Sequence, residues 1–275
     1  MRVLVIGATG TIGRAVVAGL EGRHELILAS HRKAPVAVDI ADPESIRALY
    51  GRAGGVDAVV CAAGGAAWKP LAELTDEDFA FSLENKLMGQ VNLVRLGLGL
   101  GAVANGGSIT LTSGILAQHP EPSAAAVSLV NAGLEGFVRV AALEAPHGIR
   151  VNVVSPPWVT ETAQAMGRPV AGTLSAAVVA KAYLRSVEGN ETGQVIHPEA
   201  YPCAGSMRVR KGGHAPDTTR SRDESVGGRD ACGALRIRLA SRVQSGTRAT
   251  AARPSAGSNS VAASNPEPAW HDPNL

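Results

Sequence analysis

The sequence predicts an open α/β fold, a doubly wound parallel sheet of about seven strands with helices on both faces. Two observations carry this. Short Val- and Ile-rich runs alternate with segments of helical period. Apolar residues make up 45% of the chain but aromatic residues only 3%, so the core is built from Ala, Val, Leu and Ile, as in parallel strands covered by helices. A length of 275 residues accommodates one such domain and an appendage.

Strands are expected at Arg2–Ile6, Glu25–Ser30, Val36–Val38, Asp57–Ala62, Ser108–Thr112, Arg150–Val154 and Gln194–His197. Helices are expected at Thr11–Glu21, Pro43–Arg52, Asp76–Leu98, Ala124–Ala145 and Ser175–Val187. The second helix has a clear start, with Asp42 as cap and Pro43 in the first turn, where a missing N–H is harmless. Only His31 to Pro35 separate the second and third strands. A crossover helix needs at least ~10 residues, so this unit is predicted to be abridged. The apolar stretch from Ser123 to Ala145 is interrupted by Asn131, Glu135 and Arg139, which predicts a core helix rather than a membrane span. The first strand enters its loop directly, which predicts no leader segment.

Residues 1–201 carry 15 Lys/Arg against 18 Asp/Glu, and 202–275 carry 11 against 6, so a body of net −3 precedes a tail of net +5. The tail is dominated by Arg, Ser, Gly, Ala, Pro and Asp, without periodicity, and lacks the apolar residues needed to offset chain entropy. The expected organisation is one domain over 1–201 and a low-complexity, disordered tail over 202–275. A mildly acidic body and a diffuse tail charge argue against nucleic acid as a partner. Cys61, Cys203 and Cys232 lack metal-ligand spacing, so no metal site is expected, and reduced thiols fit a cytoplasmic protein.

The first strand runs into Gly7-Ala8-Thr9-Gly10-Thr11-Ile12-Gly13 and then a helical pattern. Gly7 permits a tight turn, Gly10 lets backbone N–H groups approach a pyrophosphate, and Gly13 lets the helix pack closely on the strand. In this context the loop predicts a Rossmann fold that binds a dinucleotide. Where NAD-selective sites place an acidic residue after the second strand, this chain has Ser30-His31-Arg32-Lys33. A hydroxyl followed by cations suits a 2′-phosphate, so Ser30 and Arg32 favour NADP over NAD, with a solvated basic turn as the alternative.

Several further motifs occur in order: Asp39-Ile40; Cys61-Ala62-Ala63-Gly64; Gly106 to Ser113-Gly114; Gly133 to Glu144; and Ile149 to Pro156-Pro157. Together with the glycine loop they resemble the short-chain dehydrogenase/reductase superfamily over nearly all of 1–201. The resemblance implies that Asp39 and Ile40 contact adenine and that Ala63, Gly64, Pro156 and Val159 line the cofactor. It also implies that Ser113 holds the position of the catalytic serine. The chain departs from the family pattern where the chemistry lies. The family's active-site Tyr falls on Val127, its Lys on Asn131, its Asn on Lys86, and the last Gly of the Pro-Gly end is Pro157. The chain is similar to a divergent bacterial subgroup without the usual Tyr-x-x-x-Lys.

Hydride transfer to a carbonyl creates an alkoxide that needs a proton, and Val127 has none to give. The candidates are Ser113, Lys86, whose amine loses basicity if desolvated, and His119, six residues beyond Ser113. Plain alternatives stand beside each: a strand-end hydroxyl, a snorkelling lysine, a solvated loop histidine. The expected function is NADP(H)-dependent hydride transfer with a small carbonyl or alcohol. The alternative is a non-catalytic NADP(H)-binding sensor or partner-binding module. The segment from Thr160 to Thr173 is short and free of bulky aromatics, which favours a small ligand. The faces of Asp76–Leu98 and Ala124–Ala145 resemble those through which the family forms homodimers and homotetramers.

Overall fold

The computed structural model describes residues 1–198, so the tail expected over 202–275 lies outside the described residues. The elements run β1 (Arg2–Ile6), α1 (Thr11–Leu20), β2 (Glu25–Ser30), β3 (Val36–Ala37), α2 (Pro43–Ala53) and β4 (Val56–Cys61). They continue with α3 (Asp76–Ser82), α4 (Gly89–Gly99), β5 (Val103–Thr112), α5 (Ala125–Glu144), β6 (Arg150–Val154), α6 (Thr160–Ala165), α7 (Ala176–Glu188) and β7 (Val195–Ile196). The strands form one parallel sheet in the order β3-β2-β1-β4-β5-β6-β7. The winding reverses between β1 and β4, and an open sheet of this kind binds ligands outside the carboxyl ends of its strands at that reversal. Ile6, the last residue of β1, lies between Ala29 of β2 and Cys61 of β4, which brings the three loops that follow to one edge.

Alternation along each strand serves two cores. Leu4 and Ile6 join Val59, Cys61, Ile109 and Leu111 on the face covered by α2, α4 and α5. Val3 and Val5 join Ala58 and Val60 on the other, beneath Val16 and Leu20 of α1 and Val179 and Tyr183 of α7. A buried polar seam ties α7 to the sheet: Ser186 Oγ lies 2.7 Å from Thr110 Oγ1 and accepts a 3.1 Å bond from Asn152 Nδ2. Seven strands meet the expectation, and the short β3 confirms the abridged second crossover. Asp42 caps α2 as expected, accepting from Glu44 N at 2.9 Å.

Three elements differ from expectation. Strand β5 starts at Val103, and its register against β4 shifts so that Val56 faces Val103 while Ala58 faces Ser108. The Gly106-Gly107 pair permits this: Gly106 has φ 73°, and a Cβ on Gly107 would lie 2.5 Å from Asp57 O. The helix expected over Asp76–Leu98 is interrupted by a π-helical segment, Leu83–Met88, between α3 and α4. Helix α6 was not predicted, its six residues being too few for a periodic signal. Length and composition alone would let α5 cross a membrane, a test that a core helix also passes. The helix buries Val130, Asn131, Leu134, Glu135 and Val138.

Candidate active site

The glycine loop is anchored by Gly7 N and Ala8 N, which donate to the Ala29 carbonyl at 2.9 and 3.1 Å. Gly7 has φ 80°, and its missing Cβ would stand 2.7 Å from Ala62 O. Gly10 N donates to Gly7 O at 3.0 Å. A Cβ on Gly13 would lie 1.9 Å from that same Gly7 oxygen. Thr9, Gly10, Thr11 and Ile12 are half-buried at the tip. Helix α1 begins at Thr11 without a side-chain cap, so the N–H groups of its first turn lack intrahelical partners and the positive end of its dipole faces the switch point. This cradle fits a dinucleotide pyrophosphate.

The residues expected around an adenosine are less open. Ser30 is buried and its hydroxyl donates to the Arg32 carbonyl, while Arg32 is exposed. Asp39 Oδ1 accepts from Ala41 N at 2.9 Å, a turn-closing bond, and Asp39 N donates to Ser45 Oγ at 2.9 Å. Ile40 is buried against Gly89, where a Cβ would meet it at 3.0 Å.

The interrupted helix fastens the strand ends to one another. Asn85 Oδ1 accepts from Gly65 N at 2.7 Å, and Ser82 Oγ from Ala67 N at 2.9 Å, holding the loop after β4. Gln90 pairs with the end of β5 in both directions, donating to Thr112 O at 2.9 Å and accepting from Thr112 N at 2.7 Å. Between them Lys86 reaches across, its Nζ donating to the Ser113 carbonyl at 3.3 Å. Gly64, with φ 128°, makes room for it: a Cβ there would meet Lys86 Cα and Cγ at 3.1 Å. Desolvation pushes the Lys86 pKa down to about 8, with the nearby Cys61 acting weakly in the opposite sense. A π-helical turn at a functional site is a recurring device, and here it places Lys86.

Lys86 and Ser113 are therefore brought together, but through the serine's carbonyl. The Ser113 hydroxyl points elsewhere: Oγ donates to Glu135 Oε1 at 3.1 Å, with Val154 O at 3.4 Å. Gln118 Nε2 donates to the other oxygen of Glu135. Sequence reasoning missed Glu135, although Val127, Asn131 and Glu135 recur at the four-residue spacing that aligns one helix face. A buried acid on an otherwise apolar face was the available signal. His119 follows the turn at Ile115–Ala117, its N donating to Ile115 O at 2.8 Å. Ala63 precedes Gly64 at the start of the loop after β4, and the Pro156 carbonyl accepts from Ile115 N at 2.9 Å. Val159 is buried and bridges Leu174. Two buried oxygens at this edge, Asn131 Oδ1 and Ser155 Oγ, have no hydrogen-bond partner.

Val127 packs with Trp68 against Ile115, Leu116 and Ala124, an apolar cluster between the loops after β4 and β5. Trp68 and Trp158 meet edge to face at 5.4 Å, and the Arg168 guanidinium lies over both rings, at 5.0 and 4.2 Å. Glu121 closes the group, accepting from Trp158 Nε1 at 2.9 Å and Arg168 at 2.7 Å. Three loops are thus joined by residues that lie far apart in the chain. Among the described residues the tyrosines, Tyr50 and Tyr183, are buried in the core, and burial pushes both phenols up. A polar surface depression of about 510 Å³ around Met1, Arg2, His24 and Asp57 lies at the opposite edge of the sheet.

The fold and the loop define a Rossmann-type dinucleotide-binding domain. The family model for enoyl-(acyl carrier protein) reductase matches residues 15–197, and the chain belongs to the short-chain dehydrogenase/reductase superfamily, whose members bind nicotinamide cofactors. It is 29% identical over 151 residues to the oxidoreductase UcpA of Escherichia coli, covering 52% of this chain and 57% of that protein. It is 33% identical over 156 residues to cis-4-hydroxycyclohexanecarboxylate dehydrogenase of Sinomonas cyclohexanicum, covering 54% and 63%. The chain thus spans less than two thirds of the length of these curated relatives. Among solved structures, the protein lin1944 from Listeria innocua is 40% identical with a TM-score of 0.69, over 72% of this chain and 98% of that one. A small-chain dehydrogenase in complex with NADPH is 27% identical with a TM-score of 0.63, over 72% and 95%.

Proposed function

We propose that this protein is an NADP(H)-dependent oxidoreductase of a subgroup lacking the Tyr-x-x-x-Lys site, interconverting a small apolar carbonyl and its alcohol in the cytoplasm. The observation that carries the reading is the convergence of a half-buried, weakly basic Lys86 on the Ser113 loop at the switch point of a nucleotide-binding sheet. Gly7, Thr9, Gly10, Thr11, Ile12 and Gly13 hold the pyrophosphate, Ala63, Gly64, Pro156 and Val159 flank the nicotinamide half, and Asp39 and Ile40 border adenine. The bound cofactor supplies or accepts hydride. Ser113 binds the substrate oxygen, and the Lys86 ammonium brings it positive charge in place of the absent tyrosine acid, with His119 as a secondary candidate. The apolar cluster of Trp68, Ile115, Leu116 and Val127 favours a compact alicyclic substrate, in keeping with the cyclohexane ring in the name of one relative. Exposed Phe81, Met88, Leu129, Val140 and Leu143 on α3, the π segment and α5 favour a homodimer built on these helices. Leu143→Glu is expected to shift size-exclusion elution to the monomer; unchanged elution at the dimer position refutes the interface.

The cofactor preference rests on exposed Arg32, since Ser30 already spends its proton on the Arg32 carbonyl. NADPH is expected to bind more tightly than NADH, and Arg32→Asp to remove most of the difference, one charge-assisted contact being worth ~1.5–3 kcal/mol. Fluorescence titration measures it, and equal affinities in the parent protein refute the preference. The second reading, a non-catalytic NADP(H)-binding module, draws on the apolar packing of Val127. Steady-state oxidation of NADPH against cyclic and acyclic ketones decides between the two.

A further inference from the structure

A serine hydroxyl has one proton to donate. In Ser113 that proton is directed to Glu135 Oε1 at 3.1 Å, and both residues are almost fully buried, at 3% and 4% exposure. While Glu135 is ionised, Ser113 therefore offers a neighbouring ligand only lone pairs. The group it receives must itself be a donor, a hydroxyl rather than a carbonyl. Gln118 Nε2 holds the other carboxylate oxygen, and Gln118 is exposed, so the pair extends from the strand end to the surface. Along the same face of α5, Val127 and Asn131 carry no group that exchanges a proton near neutral pH.

We infer that Glu135 is a positioning residue that turns Ser113 towards an alcohol and takes the proton Ser113 releases. This rests on the oxidoreductase reading and refines it, since Lys86 then keeps its protons and acts through its charge. When a secondary alcohol is oxidised, its O–H proton passes to Ser113 Oγ as the Ser113 proton passes to Glu135. The hydrogen on carbon leaves as hydride to the oxidised nicotinamide cofactor. The products are the ketone, the reduced cofactor and a protonated Glu135, which returns its proton to solvent on the Gln118 side. Reduction runs the same path backwards.

Two arms test this. In the protein without cofactor, labelled with δ-¹³C-glutamate, the Glu135 resonance is identified by its loss in Glu135→Gln. It is expected to move beyond its linewidth in Ser113→Ala at fixed pH; an unmoved resonance overturns the pairing. In the second arm, NADP⁺ and a panel of secondary alcohols including cyclohexanol are used. Glu135→Gln is expected to lower kcat by ~10²–10⁴, with KM and NADP⁺ affinity nearly unchanged. The exchanged pair Glu135→Gln with Gln118→Glu restores complementary hydrogen bonds but leaves an amide beside Ser113. It is expected to recover the melting temperature and not kcat. Recovery of kcat by the exchange means that Glu135 only holds Ser113 in place and overturns proton transfer. Full activity in Glu135→Gln removes the relay and leaves the oxidoreductase reading intact. A parent protein that binds NADP⁺ but oxidises no alcohol of the panel removes that reading and the relay with it.

Discussion

Gly13→Ala is expected to abolish cofactor binding and to lower the melting temperature by roughly 6–12 °C, the shift for about 3 kcal/mol in a domain of this size. The cause is local and severe. The new Cβ would sit 1.9 Å from the Gly7 carbonyl oxygen and 2.7 Å from its carbon, and both are backbone atoms that cannot rotate away. Either α1 lifts from β1 or the turn at Gly7 opens, and each displaces the N–H groups that the proposed function assigns to the pyrophosphate. Overpacking alone costs ~1–3 kcal/mol, and disturbing the close helix–strand contact adds to it. Gly136→Ala in α5, where the new methyl meets open space, is the matched control: it should stabilise by ~0.5–1 kcal/mol through helix propensity. Differential scanning calorimetry with NADPH titration reads both variants. Normal NADPH affinity in Gly13→Ala would sink the assignment of this loop.

Lys86→Met is expected to lower turnover by ~10²–10⁴ while raising stability near neutral pH. Desolvation lowers the folded-state pKa to about 8 from the ordinary 10.5. Below about pH 8 the amine is charged in both states, and burying that charge destabilises the fold in full. From there up to the unfolded value the unfolded chain binds more protons than the native one, so stability rises with pH. Above that value both forms are neutral and the penalty is gone. Removing the amine should therefore stabilise the protein by about 1–2 kcal/mol at neutral pH, allowing for solvent screening, and by nothing at strongly alkaline pH. Part of the gain is offset by the lost bond to Ser113 O. Activity that depends on the ammonium should decline as pH passes about 8. Urea denaturation across pH checks the stability limb. A variant that turns over like the parent would transfer suspicion to His119.

The parts of this molecule that read clearly from the sequence are local in origin. The glycine loop, the Asp42 cap and the abridged crossover before β3 each follow from a few adjacent residues with stereochemical or length demands. The parallel, doubly wound sheet followed from the alternation of strands and helices, since each parallel pair needs a crossover, whereas the strand order came only from the structure. What escaped depends on the tertiary assembly. The early start of β5 needs Asp57 of the neighbouring strand to press against Gly107. The π turn within 76–99 has no periodic signature, since Asn85, Lys86 and Gln90 are drawn into register by the ends of β4 and β5. The absence of bulky aromatics over Thr160 to Thr173 favoured a small ligand, but only the structure shows Arg168 of that segment stacked on Trp68 and Trp158. Glu135 was visible as an interruption of an apolar face, but only the fold shows that Ser113 is what it meets.

The most direct test is the rate of NADPH oxidation with a panel of cyclic ketones, from about pH 6 to about pH 10, for the parent protein and Lys86→Met. Measurable turnover with a declining limb near the lowered lysine pKa, reduced to background in Lys86→Met, is the expected result. NADPH binding without turnover of any ketone, or a pH profile identical in the two proteins, would contradict it.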